Sequence, residues 1–204
     1  MISQQSLPTT PVPFTSAKDR KRKEKKREIA ISALETLNGK GYAQTRLRDI
    51  AARADMSLGM VHYYFDSKED LMIYCVRRYK SSFFDAMDTI LQSANTPEDL
   101  RSGICEALLH TVETEAAGHR LWYDIRSQAM FDPTFQPVVV EMETMMMNMI
   151  APFSGNPSDR RVVAGLYARI DGVFRLVLQD HLEGNHFNRE ERLRLFEDAL
   201  PSEW

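Results

Sequence analysis

Arg46, Arg48, His62, Tyr63, Tyr64 and Lys68 fall within one stretch, TRLRDIAARADMSLGMVHYYFDSKED, running from Thr45 to Asp70. These side chains are rich in donors, and their chemistry suits recognition of a polyanion more than the making of bonds. A guanidinium at Arg48 can meet O6 and N7 of a guanine together, as a fork. Leu58 and Met60 offer only apolar atoms, which cannot read donors or acceptors but can pack on thymine methyls. Lys68 falls where the free backbone N–H groups of a new helix point outward. Catalytic patterns are missing. The chain has no G-x-S-x-G, no H-E-x-x-H, no phosphate-binding glycine loop and no C-x-x-C. Its five histidines do not cluster with Cys or carboxylates at metal spacing. No catalytic residue, metal or cofactor is expected, and the chain reads as a non-enzyme.

Those side chains need elements to aim them. Leu47, Ile50, Ala51 and Ala54 stand at i, i+3, i+4 and i+7, one apolar face of a helix. Asp55-Met56 breaks the pattern. Ser57 can cap a second helix, with Met56 and Val61 placed to pack as a staple. Val61 and Phe65 form the inner face of that helix. At 100° per residue Gly59 and Tyr63 lie opposite Val61, with Met60 and His62 on the flanks. The outward face therefore carries no acid. Ser67 followed by Asp70 starts a third helix. Two short helices joined by a tight turn describe a helix-turn-helix, whose second helix enters the major groove of DNA.

The segment resembles the DNA-binding domain of TetR-family transcriptional regulators, whose pattern is roughly T-x-x-x-x-I-A-x-x-A-G-V-S-x-G-x-L-Y-x-x-F-x-x-K-x-x-L. This chain meets it with Thr45, Ile50, Ala51, Ala54, Ser57, Gly59, Val61, Phe65, Lys68 and Leu71, and departs at Asp55, Met56 and His62. The resemblance implies that Lys68, Thr45, Tyr63 and Tyr64 occupy backbone-contacting positions. It also implies a variable C-terminal domain with a small-molecule pocket, and a dimer built from the last two long helices.

Charge is divided between the ends. Residues 1–80 hold sixteen Lys/Arg and nine Asp/Glu, whereas residues 81–204 hold ten and twenty, within a net charge of −3. A polyanion partner is expected at the basic end only. Residues 1–17, with Pro8, Pro11 and Pro13, read as a disordered leader without a signal peptide. The run KDRKRKEKKR follows, either as the first turns of helix 1 or as an arm leading into it, placed for phosphate contact. No apolar run approaches the roughly 20 residues that span a bilayer. Cys75 and Cys105 read as free buried thiols, and a cytoplasmic location fits.

The spacing predicts an all-α fold of about nine helices. A three-helix DNA-binding domain covers 18–66, and a ligand-binding and dimerisation domain covers 67–204. Helix 4 should run from Ser67 to about Ser93 as the lever between them. Later helices are expected from Pro97, at about 119–131, near 133–152, over 157–183, and from Asn188 to about Leu200. Met142, Met145, Met146 and Met149 share one helical face, which can be core or an adaptable pocket wall. Composition nominates Trp122, Tyr123 and Phe131 as the aromatic wall of that pocket, Met142 and Met146 as its floor, and His110 or Arg126 as its polar contact. Small residues recur at Gly165, Ala168 and Gly172, which lets helices approach. With Leu193 and Phe196 they make the candidate dimer face. Leu166–Leu178 is similar to the C-terminal part of the choline-regulatory BetI-like subgroup. The expected function is sequence-specific transcriptional regulation through a double-stranded operator, by a homodimer released by an unidentified small molecule. The alternatives are a constitutive DNA binder without a ligand and a helical enzyme with an incidental helix-turn-helix.

Overall fold

The computed structural model describes residues 16–184 and 186–201. Among these residues are nine α-helices, two 3₁₀ turns and no strand. Helix α1, Ala17–Gln44, begins where Ser16 accepts the Asp19 N–H at 3.1 Å. The basic run is therefore helix, not an arm. Of the expected leader, all but residues 16 and 17 lies outside the described residues. Gly41, at φ 71°, kinks the end of α1, and the Thr45 hydroxyl donates to the Gly41 carbonyl at 2.8 Å to close the bend.

Helices α2, Leu47–Arg53, and α3, Leu58–Tyr64, meet in a tightly bonded corner. The Met56 N–H donates to the Ala51 carbonyl at 2.9 Å and the Asp55 N–H to the Ala52 carbonyl at 3.3 Å. That pair of bonds is a Schellman motif, which satisfies carbonyls the helix end would leave open. It requires a left-handed residue, and Asp55 supplies it at φ 52°. Ser57 then caps α3 by accepting the Met60 N–H at 3.1 Å.

Helix α4, Lys68–Ser93, is capped by Ser67 and carries Leu71, Met72, Cys75, Val76, Phe83 and Met87 inward. Helices α5, Pro97–Thr114, and α6, Ala116–Gln128, follow with a single residue between them. Helix α6 starts three residues earlier than the sequence spacing predicts, because Gly118 belongs to its first turn. A 3₁₀ turn at Pro133–Phe135 precedes α7, Gln136–Ile150. Helix α8, Arg160–Glu183, does not start at the Asn156-Pro157 signature. Asp159 is its cap, accepting the Arg161 N–H at 2.9 Å. Helix α9, Arg189–Ala199, is capped by Asn188 as its sequence predicts.

Two apolar clusters hold these helices. The first joins Ile29, Ala33, Ile50, Val61 and Phe65 of the first three helices and their flanks to Leu71 and Cys75 of α4. It continues into Leu121, Trp122 and Ile125 of α6, then Phe135, Val138 and Met142. The core thus crosses residue 66 without a break. The second cluster lies among α4, α5, α8 and α9, around Phe83, Leu109, Phe174, Val177 and Phe196. Gly118 lets α6 sit close to α4, since a Cβ there would fall 2.5 Å from the Tyr79 ring.

The corner yields a stability prediction. Asp55→Gly removes the cost of a side chain at positive φ and should raise unfolding free energy by about 0.5–1 kcal/mol. Asp55→Val should lower it by at least as much. Urea denaturation followed by circular dichroism checks both, and equal midpoints for the two variants would mean that the corner is not held in this conformation.

Candidate nucleic-acid interface and buried cavity

Only Val61 of α3 is buried. Leu58, Gly59, Met60, His62 and Tyr63 are all exposed, Tyr63 to 62%. Ser57 is exposed beside them, and Arg46 and Arg48 project from the start of α2. A Cβ on Gly59 would meet only Ser57 Oγ, at 3.9 Å, so no neighbour in the chain requires a glycine there. The face is basic and apolar together, without a carboxylate, as the helical projection predicts.

Three residues sit differently from their sequence-derived roles. Thr45 is buried, and its hydroxyl is spent on the Gly41 carbonyl, so it is not offered to phosphate. Lys68 is half-buried, with Nζ 3.8 Å from the Tyr42 ring centroid and donating to the Tyr42 carbonyl at 2.5 Å. Its ammonium ties α4 to the kinked end of α1, and burial pushes its pKa down. Tyr64 is half-buried edge-on against Tyr63. Part of the basic run is also used internally. Arg22 lies over Tyr63 and Tyr64 at 5.5 and 5.7 Å, and Lys26 over Phe65 at 4.5 Å. These contacts brace the end of α3, while Lys18, Arg20, Lys21, Lys23 and Arg27 remain exposed.

The acidic half holds a cavity among α4, α5, α6, α7 and α8. Its walls are mostly Phe, Met, Leu and Ile. Trp122, Tyr123 and Met146 line it, as their composition suggested. His110 does not, being exposed on the outer face of α5. Phe131 is 85% exposed beyond the end of α6. Met142 is one turn too early on α7 and packs in the first apolar cluster. Arg126 stands beside the cavity rather than in its wall, bound to Asp171 at 2.8 Å and Glu143 at 3.0 Å.

The polar groups that do line it were not read from the sequence. Lys80 of α4 is 2% exposed. What meets its ammonium is rings: Trp122 at 4.8 Å, Phe83 at 5.2 Å and Tyr79 at 5.4 Å. It makes no ion pair with any described carboxylate. Burial pushes its pKa down to about 7; Asp171 works against that and Arg126 with it. His119 packs against the Tyr79 hydroxyl, and burial followed by the Lys80 charge pushes its pKa down to about 3, so it is neutral at physiological pH. Asp171 accepts the Tyr123 hydroxyl at 3.1 Å. Trp122 Nε1 and Tyr167 Oη are buried with no hydrogen-bond partner among the described residues. A signal for Lys80 existed. It continues the stripe Met72, Val76, Phe83, Met87 at helical spacing, where a lysine is out of place.

Helix α6 links the cavity to the head. His119, Trp122 and Tyr123 face the cavity, while Leu121 and Ile125 pack into the cluster with Ile29 and Ala33 of α1. Arg120 donates to the Asn38 carbonyl of α1 at 3.0 Å. On α8, Gly165, Ala168 and Gly172 are exposed in line with Val162 and Leu176. A Cβ on either glycine would meet nothing within 4 Å. Phe196 departs from the expected dimer face. It is fully buried against Phe174 in its own chain, and Leu193 is half-buried beside it.

Comparison with known proteins places this architecture. The family model for bacterial regulatory proteins of the tetR family matches residues 31–75, which span the helix-turn-helix. The HTH-type transcriptional regulator BetI of Paraburkholderia phymatum is 26% identical over 185 residues, covering 88% of this chain and 92% of that protein. Residues 31–75 thus carry the DNA-binding domain of the tetR family, and the findings together support a TetR-family transcriptional regulator. Its fold matches a TetR family transcription regulator from Marinobacter aquaeolei with TM-score 0.69 at 16% identity, covering 89% of this chain and 98% of that one. It also matches the multidrug binding protein EbrR complexed with ethidium, with TM-score 0.62 at 23% identity, over 87% and 99% of the two chains. The matched segment contains the whole of α2 and α3. Among the chain's described residues no helix is long and apolar enough to cross a membrane.

Lys80 gives the regulator a pH signature. Its folded pKa is depressed, so between about pH 7 and the ordinary lysine value of 10.5 the unfolded chain binds the extra proton. Stability contributed by this group therefore rises with pH across that window, by up to about 1.4 kcal/mol per unit. Lys80→Met should abolish that rise and stabilise the protein at pH 7. Denaturation midpoints at pH 7, 8 and 9 for both proteins check this, and identical slopes would refute the assignment to Lys80.

Proposed function

We propose that the regulator is a homodimeric repressor, released from a palindromic operator by a small molecule that enters the α4–α8 cavity. The observation that carries this reading is the double duty of α6, which walls the cavity with one face and grips α1 with the other. A ligand shifts such an element only by its difference in affinity for two positions of it. The buried free thiols Cys75 and Cys105 fit a reducing cytoplasm. The structural relative EbrR, a multidrug binding protein complexed with ethidium, lends weight to a ligand-responsive reading.

On the operator, α3 enters the major groove with Leu58, Gly59 and Met60 toward the bases, and Arg48 reaches in from α2. Exposed cations of α1 add contacts to phosphate that carry no sequence information. Thr45 and Lys68 serve by holding the kink between α1 and α2. Two heads meet half-sites about one helical turn, roughly 34–36 Å, apart. The α8 face of Val162, Gly165, Ala168, Gly172 and Leu176 is the surface that brings a second copy against the first.

Two measurements test these statements. Arg48→Ala should cost about 1–3 kcal/mol at a single base position in an operator-variant panel read by fluorescence anisotropy. Uniform weakening over all variants would reduce Arg48 to a phosphate contact. Gly165→Glu with Gly172→Glu meets no clash within the protomer, so it should leave a helical protein that sediments as a monomer and loses operator affinity. A double variant that remains dimeric puts the interface elsewhere, and a monomer that still binds tightly removes the two-headed mechanism.

A further inference from the structure

The cavity holds donors without hydrogen-bond partners, and an ammonium that makes no ion pair with a described carboxylate. Lys80, Trp122 and Tyr167 all line it, and Trp122 Nε1 and Tyr167 Oη are buried without a hydrogen-bond partner among the described residues. Indole N–H can only donate, and a protonated lysine can only donate. Buried polar groups without partners are costly, so a cavity that keeps them is shaped for something that accepts. The carboxylate that could have attracted a cation is already engaged. Asp171 is held by Arg126 at 2.8 Å and by Tyr123 at 3.1 Å. The Trp122 face is engaged too, since Lys80 lies 4.8 Å from its ring and Arg126 5.6 Å from it. A quaternary ammonium entering here would face the Lys80 ammonium across the ring it needs.

We infer that the effector is an organic carboxylate with a hydrocarbon body, its anion received by Lys80, Trp122 Nε1 and Tyr167 Oη and its tail lying among Phe83, Met146 and Phe174. This rests on the reading of the cavity as the effector site. A carboxylate has two oxygens and about four acceptor positions, enough for three donors. One ammonium matches one negative charge, and the Met and Phe walls adapt to an alkyl or aryl body.

The charge match makes affinity depend on pH. The groups that face Lys80 are Tyr79 on its own helix, His119, Tyr123 and Arg126 from α6, and Asp171 and Tyr167 from α8, with Glu143 of α7 behind Arg126. His119 is neutral and Arg126 stays charged in the physiological range, which leaves Lys80 as the group that titrates near pH 7. An anion beside Lys80 favours its protonated form, so binding takes up a proton and weakens as pH rises past 7.

Full-length protein titrated by calorimetry with decanoate, decanol and decyltrimethylammonium tests the assignment, each probe below its aggregation limit. Decanoate should bind tightest at pH 6.5 and lose about tenfold or more in affinity by pH 8.5. Decanol should bind more weakly and without pH dependence. Lys80→Met should flatten the decanoate profile while keeping decanol binding, which shows that the cavity is intact. Trp122→Phe should weaken decanoate alone. Equal or tighter binding of the ammonium probe, a pH-independent decanoate affinity, or no binding of any probe overturns the inference. Operator release is read separately. Decanoate that binds with the Lys80-dependent profile yet leaves DNA affinity unchanged supports the carboxylate site and removes the effector mechanism.

Discussion

Helix α6 is buried on two sides, and the regulator is built around that fact. One side packs Leu121 and Ile125 onto Ile29, Ala33 and their neighbours in α1. The other side closes the cavity with His119, Trp122 and Tyr123. A close-packed interior transmits displacement because it has few voids to absorb it. Gly118 sharpens the constraint, since its missing Cβ lets the helix sit against the Tyr79 ring. Tyr79 in turn touches His119 and lies beside Lys80. Cavity contents and head position therefore share a single set of contacts.

The DNA-binding head is accordingly not an independent unit. Its apolar residues belong to the same cluster as Phe135, Val138 and Met142 from the acidic half. Arg77 of α4 also reaches Glu141 of α7 at 2.8 Å, and Tyr42 meets Phe135 edge-on. Lys68 fixes the start of α4 to the kinked end of α1. These contacts tie the head to the helices beneath it. At the far end, Asp180 and Arg192 form a buried pair at 2.8 Å that pins α9 to α8, and the His186 and Phe187 N–H groups donate to the same carboxylate. Breaking such a pair strands a buried charge, which costs more than the pair itself contributes.

Local chemistry was legible in the chain. Side-chain caps at Ser57, Ser67, Thr96 and Asn188, the break at Asp55, and apolar spacing across the helix-turn-helix depend on neighbours within a few residues. Those features place helix starts and the outward face of α3 without any tertiary contact. The family resemblance follows from the same residues, as does the excess of positive charge at one end. Asn156-Pro157 misled because the same signature fits a turn as well as a helix start, and the Asp159 side chain, free to accept the Arg161 N–H, settled where α8 begins.

Tertiary structure decided what each polar group faces. Lys68 and Thr45 occupy family positions in the sequence, yet Tyr42 and Gly41 take their donors. His110 and His119 both sit on helices, and only packing against Tyr79 and Phe174 selects His119 for the cavity. Periodicity puts Met142 and Met146 on one face of α7, but that face passes from one apolar cluster to the cavity within a turn. Phe196 resembled an interface residue until Phe174 covered it. Lys80 is the clearest case. Its helical phase is written in the chain, but the cost of burying its charge, and hence its use, depends on rings and a carboxylate from helices distant in sequence.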